Sequence, residues 1–170
     1  RWTAEEFDNI ALNNAALDAH WGAVATYDYF LKNFGRNSYD GNGIKMNTYM
    51  HAGRNYFNAF WDGQRVTIGD GNNNPLSTLD IVAHEYGHAL MTSTANLVYQ
   101  NESGALNEGF SDIWAAAVEM EFAPEKDPWL IGEDIGNTIR SMRNPKQFNQ
   151  PDTYRGQNWF TGTANNGGVH

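Results

Sequence analysis

The stretch His84-Glu85-Tyr86-Gly87-His88 constrains this chain more than any other. On a helix, residues four apart stand one above the other on one face. Both imidazoles can then reach one metal ion, while Glu85 stays free to act on a water beside it. The flanks Ile81-Val82-Ala83 and Ala89-Leu90-Met91 are apolar, which predicts a largely buried helix over about residues 77–94. Two histidines and a glutamate on such a helix are costly unless a metal or a partner satisfies them. The three fixed letters of the motif recur by chance in unrelated chains, so a second feature has to support them. Glu108, in the run Gly104-Ala105-Leu106-Asn107-Glu108-Gly109-Phe110-Ser111-Asp112, supplies it as a third ligand from another helix. Two His and one Glu leave a fourth position open, the arrangement of a catalytic rather than a structural zinc site.

A chain of 170 residues with ordinary apolar content and many aromatics can bury one good core. No apolar run approaches a membrane span, and no signal-peptide pattern opens the chain. The net charge of −9, with no basic run, argues against nucleic acid as a partner. Without cysteine there is neither a disulfide nor thiolate chemistry. Some surplus carboxylates could then hold a hard cation such as calcium, a plausible staple for a secreted protein.

Along the chain, Thr3-Ala4-Glu5-Glu6 fits a capping box, and Asp18 could cap a helix over residues 19–34 that stops at Gly35. His20 reads as a core or capping histidine, and His51 as a structural residue with no partner pattern. Residues 39–43 form a polar Asp-Gly-Asn-Gly turn, and residues 44–50, 55–61 and 65–68 read as strands. Residues 96–103 read as a crossing loop, and 105–122 as a buried helix ended by Pro124. The rest looks irregular, with one short helix near residues 137–142.

Taken together, these strings resemble the thermolysin-like zinc endopeptidases of the gluzincin type. The resemblance runs through Asn58-Ala59-Phe60-Trp61, Gly69-Asp70-Gly71, the zinc helix and Tyr99-Gln100-Asn101-Glu102-Ser103-Gly104. It continues through Asn107-Glu108 with Ser111-Asp112, Ile131-Gly132-Glu133-Asp134, Arg140-Ser141-Met142 and Asn166-Gly167-Gly168-Val169-His170. It implies an α+β fold in which a β-rich N-terminal lobe, residues 1–98, is joined through the zinc helix to a mainly helical C-terminal lobe beginning at 99–170.

The same resemblance implies roles. His84, His88 and Glu108 hold one catalytic zinc, and Asp112 hydrogen-bonds the first zinc histidine. Glu85 is the general base, and Tyr99 and His170 are donors to the oxyanion. Asn165 stands where the family usually has an aspartate, and a neutral amide favours an imidazolium on His170 less than a carboxylate does. Asn58, Ala59 and Trp61 pair with substrate backbone, Phe60 being an ordinary strand residue, and Arg140 holds a substrate carbonyl. Leu76, Ile81, Ile131, Ile135 and Ile139 line an aliphatic pocket, which implies cleavage before Leu, Phe, Ile or Val. Asp80, Glu119 and Glu133 occupy calcium positions with Asp127 nearby. Pro128 and Leu130 replace carboxylates of a double site, which favours one calcium over two.

The expected function is therefore that of a secreted zinc endopeptidase acting on peptides and proteins. A degenerate, non-catalytic copy need not keep Glu85, and a zinc aminopeptidase would bring a motif for a free amine that is not found. The chain starts without Met and stops at Val169-His170, so it reads either as the middle of a longer enzyme or as a truncated form of one. Its remaining segments are expected partners, and residues 1–170 alone are expected to be inactive.

Overall fold

The computed structural model describes residues 14–72 and 74–160. Thr3-Ala4-Glu5-Glu6, Asn165 and His170 lie outside the described residues. Three long helices dominate: α1 (Asn14–Phe34), α2 (Leu79–Ser93) and α3 (Asn101–Phe122). A three-stranded sheet of β1 (Thr48–Ala52), β2 (Ala59–Trp61) and β3 (Val66–Gly69) lies between α1 and α2 in the chain. A two-stranded ribbon of β4 (Leu130–Ile131) and β5 (Arg140–Ser141) follows α3.

The central element is α2. Asp80 stands in its first turn, where a carboxylate favours the helix dipole. At its far end the Thr94 hydroxyl bonds back to the Leu90 carbonyl at 2.7 Å. Apolar residues occur on several of its faces, and from Leu79 to Met91 every residue but His88 is buried. Such a helix needs neighbours on all sides. They are α1, α3 and the sheet, whose β3 residues Val66 and Ile68 are fully buried against it. A bond of 2.9 Å between Tyr86 Oη and Thr48 Oγ1 ties the helix to β1.

Two glycines set the approach of the helices. A methyl group on Gly87 would stand 2.8 Å from Ser111 Cα, so the α2 and α3 backbones meet only because that position is bare. Gly22 does the same for α1, where the added carbon would lie 2.9 Å from Val82 Cβ.

In the sheet, β3 is central, parallel to β1 and antiparallel to β2. This leaves β2 at an edge, with Ala59, Phe60 and Trp61 facing Ile68, Thr67 and Val66.

Several local expectations are corrected. Helix α1 already includes Asn14, ahead of Asp18. Helix α3 begins at Asn101, taking in residues placed in the crossing loop; Gln100 is its extended N-cap. The short helix near residues 137–142 is strand β5, because the Ile139 and Met142 amides bond to the Ile131 and Trp129 carbonyls, each at 2.8 Å. Pairing with the nearby strand β4 decides the conformation there. His20 is exposed rather than core. His51 has a partner after all, since its Nδ1 lies 2.7 Å from Asp70 Oδ1.

Candidate metal centre and substrate cleft

His84 and His88 project from the same face of α2, with ring centroids 4.6 Å apart and nearly perpendicular planes. Each ring is anchored through Nδ1. That of His84 lies 2.7 Å from Asp112 Oδ1, and that of His88 lies 2.8 Å from Asn107 Oδ1 and 3.2 Å from Ser111 Oγ. Asn107 donates its amide nitrogen to the Leu97 carbonyl at 3.3 Å, which turns its oxygen toward His88. Both Nε2 atoms therefore point the same way, toward Glu108. The His84 Nε2–Glu108 Oε2 distance is 3.2 Å, and the His88 Nε2–Glu108 Oε1 distance is 3.6 Å.

These three side chains offer ligand atoms within 4.8 Å of one another. A tetrahedral zinc with bonds near 2.0–2.1 Å spaces its ligand atoms by about 3.3 Å. The observed separations fit that ion, as do the chemistry of the donor set and the orientation of both rings.

The electrostatics follow from burial and partners. Burial alone would raise the Asp112 carboxyl. Instead Arg140 holds it well below the usual carboxylate range, donating from Nε and Nη2 at 2.7 and 2.5 Å, with His84 adding to the effect. Burial also opposes charge on His84, but Asp112 and Glu108 outweigh it and raise that ring to about 10. Burial and the charge on His84 push His88 down to about 4. A bound cation would replace the proton that His84 otherwise keeps among these carboxylates. Burial pushes Glu85 up to about 7, a range in which a carboxylate can take up and release a proton.

The cluster forms the floor of a cleft of about 660 Å³. The edge residues Asn58, Ala59 and Trp61 line one wall, and Leu76, Ile81, Ile131, Ile139 and Arg140 line another. Glu85 faces the same space. Tyr99, 58 % exposed, donates its hydroxyl to Glu108 and sets its ring 5.8 Å from that of His88. Ile135 departs from expectation. It is buried away from the cleft and lines a separate recess beside Asp18, Lys126 and Asp134.

Phe57, Phe60, Thr92, Leu97 and Asn107 also line the cleft. Sequence reasoning gave none of them a role. Asn107 was the most accessible of these, since it immediately precedes Glu108.

Asp80 and Glu119 come together at the other end of the α2–α3 interface, within electrostatic reach of Glu133. Asp127 turns to Arg143 at 3.1 Å instead.

A buried two-histidine, one-glutamate cluster with the Glu85 carboxylate beside it has the composition and geometry of a candidate metal site with an open position. Comparison with known proteins identifies the family. Residues 1–92 match the family model "Thermolysin metallopeptidase, catalytic domain", and residues 95–170 match "Thermolysin metallopeptidase, alpha-helical domain". The chain belongs to the thermolysin metallopeptidase family.

A bacillolysin from Brevibacillus brevis is 47% identical over 173 residues, covering 96% of this chain and 31% of that protein. A thermolysin from Alicyclobacillus acidocaldarius subsp. acidocaldarius is 46% identical over 166 residues, covering 92% and 30%. The chain thus spans about a third of the length of these curated relatives. Among solved structures, the precursor of protealysin, a metalloproteinase from Serratia proteamaculans, superposes with a TM-score of 0.79 at 32% identity. The match covers 92% of this chain and 55% of that one. The α+β, thermolysin-like fold expected from the sequence is the fold observed.

Proposed function

We propose that this chain carries the catalytic centre of a secreted zinc endopeptidase that cuts peptide bonds on the amino side of bulky hydrophobic residues. The observation that carries the reading is the convergence of His84, His88 and Glu108 within 4.8 Å, with Glu85 in the same cleft. Zinc held by these three would supply Lewis acidity, which would lower the pKa of a water and polarise a peptide carbonyl.

The chain's own residues do the rest. Glu85 takes the proton of the attacking water and passes it to the leaving amine. Asp112 and Asn107 hold the two imidazoles in the tautomers that expose Nε2. An extended substrate adds to the free edge of β2 along Asn58, Ala59 and Trp61, so backbone hydrogen bonds bind many sequences alike. Arg140, fixed on Asp112, holds a carbonyl beyond the scissile bond. Leu76, Ile81, Ile131 and Ile139 present an apolar wall to the side chain that follows it, which selects Leu, Phe, Ile or Val. Tyr99 and His170 are the proposed oxyanion donors; Tyr99 already stands at Glu108.

The same reading divides the chain near residue 98 into the end of one lobe, residues 1–98, and the start of a helical lobe, residues 99–170. The meeting of the two family matches between residues 92 and 95 supports this. One structural calcium belongs near Asp80, Glu119 and Glu133. The remaining segments of the enzyme are proposed partners. No described helix is long and apolar enough to cross a membrane.

The test uses the natural full-length protein recovered from the culture medium. It should carry one zinc per chain and hydrolyse casein. It should lose that activity to a chelator and regain it with zinc. Mass spectrometry of a digested peptide library should place bulky hydrophobic residues after the cut. Chelator-resistant hydrolysis, or a preference for Lys, Arg or acidic residues there, would overturn the reading.

A further inference from the structure

Below the cleft, carboxylates gather without enough positive charge to balance them. Asp80, 1 % exposed, has one oxygen bonded to Thr78 Oγ1 and the other to the Gly132 amide, both at 2.5 Å. Glu119, also 1 % exposed, has no hydrogen bond to either oxygen, and both oxygens of Glu133 are likewise buried and unpartnered. Asp134 and Asp18 stand nearby and add to the field. Burying one ionised carboxylate without a partner is costly, and burying several together is more so.

Among the described residues, one cation faces this group. Lys126 lies on the turn just after α3, where its amide bonds to the Ala123 carbonyl at 3.0 Å. Its ammonium contacts Asp134 and acts favourably with Glu119 and Asp80. The Lys126 side chain is 26% exposed and that of Asp134 37%, so the ammonium sits at the rim, beside a recess that both residues line. It leaves the four inner oxygens of Glu119 and Glu133 untouched.

We propose that Lys126 is a built-in counter-cation of this carboxylate group, filling the rim position and leaving the unpartnered oxygens of Glu119 and Glu133 to a single divalent cation. A single ammonium cannot balance the whole group, and the raised Glu119 and Glu133 carboxyls hold protons that a divalent cation would replace. With the rim already occupied, a second divalent ion meets both a positive charge and a missing ligand. The second half of this inference rests on the calcium reading above; the first half does not.

The experiment compares Lys126→Met, Lys126→Arg and the surface control Lys146→Met in the full-length protein. All carry Glu85→Gln to prevent self-digestion, and all are kept zinc-loaded in calcium-free buffer. Lys126→Met should melt several degrees below its parent, whereas Lys126→Arg and Lys146→Met should stay near it. Added calcium should close the gap. By calorimetric titration, Lys126→Met should bind calcium about tenfold more tightly than the parent, or take up a second ion. Equal melting of Lys126→Met and parent without calcium would overturn the counter-cation role. Unchanged calcium affinity and stoichiometry would overturn the rim position. A parent protein that binds no calcium would count against the calcium reading alone, since the calcium-free melts still decide on Lys126.

Discussion

At the cleft end of the α2–α3 interface, each charged or polar side chain is passed on to another. Arg140 holds Asp112, Asp112 holds His84, and Asn107 holds His88. One helical turn earlier on α2, beside Asp80, the same two helices bury Glu119 with neither oxygen hydrogen-bonded. Burial and the charges of Asp80 and Glu133 push that carboxyl up to about 8. Asp112 lies on the same helix but beside a guanidinium, and its carboxyl is held low. Two carboxylates with nearly equal burial thus behave oppositely. The difference lies in the partners and not in the depth. The cleft end is organised to orient two imidazoles, and the acidic end is short of positive charge.

The largest effect expected from breaking this contrast is chemical. Glu85→Gln should leave zinc content unchanged and lower peptidase kcat by about 10²–10⁴-fold, since an amide keeps the shape but cannot accept a proton. A kcat near wild type would remove Glu85 as the base.

Next comes calcium withdrawal with zinc held fixed. If the acidic end binds one calcium in the folded state only, a hundredfold excess over Kd should add about 2.7 kcal/mol of stability. An unchanged Tm would mean that these carboxylates are managed without a metal.

Asp112→Ala probes the organised end. It frees His84 to turn and leaves Arg140 without its partner. Zinc affinity should fall by about 10–100-fold, read by competition with a chromophoric chelator. Equal affinity would show that the packing of α2 orients the ring unaided.

The smallest effect belongs to a pair outside both ends. Lys32 and Glu121 meet at 2.5 Å, but the lysine side chain is 69% exposed. Lys32→Met should change stability by no more than about 1 kcal/mol in urea unfolding. A larger loss would imply that exposed charge matters here as much as buried charge.

Much of the site could be read from the sequence because it depends on periods within single helices. Four-residue spacing aligns His84 with His88 and Glu108 with Asp112, and a helix fixes that alignment wherever it packs. The apolar flanks showed that the helix carrying His84 and His88 would be buried. The strings carrying the family resemblance then joined the two helices into one centre.

What the sequence left open depends on pairs far apart in the chain. Ile135 and Ile139 look alike as aliphatic candidates, yet only Ile139 reaches the cleft, because the turn at residues 133–135 buries the other beside Lys126. Residues 137–142 have no strong local preference, and pairing with β4 made β5 of them. His51 met Asp70 only once β1 and β3 were side by side.

By itself, then, the sequence determined the residue types of the candidate metal site, their spacing on each helix and the buried character of α2. Local geometry and hydrophobic burial are properties of short stretches. The tertiary structure alone decided that Glu108 comes within 3.2 Å of His84 and that Gly87 admits Ser111. It also decided that Asn107 turns its oxygen to His88 and that Lys126 faces a group of carboxylates. Each of these depends on how closely and in what register two separate elements pack, a property that neither element carries alone.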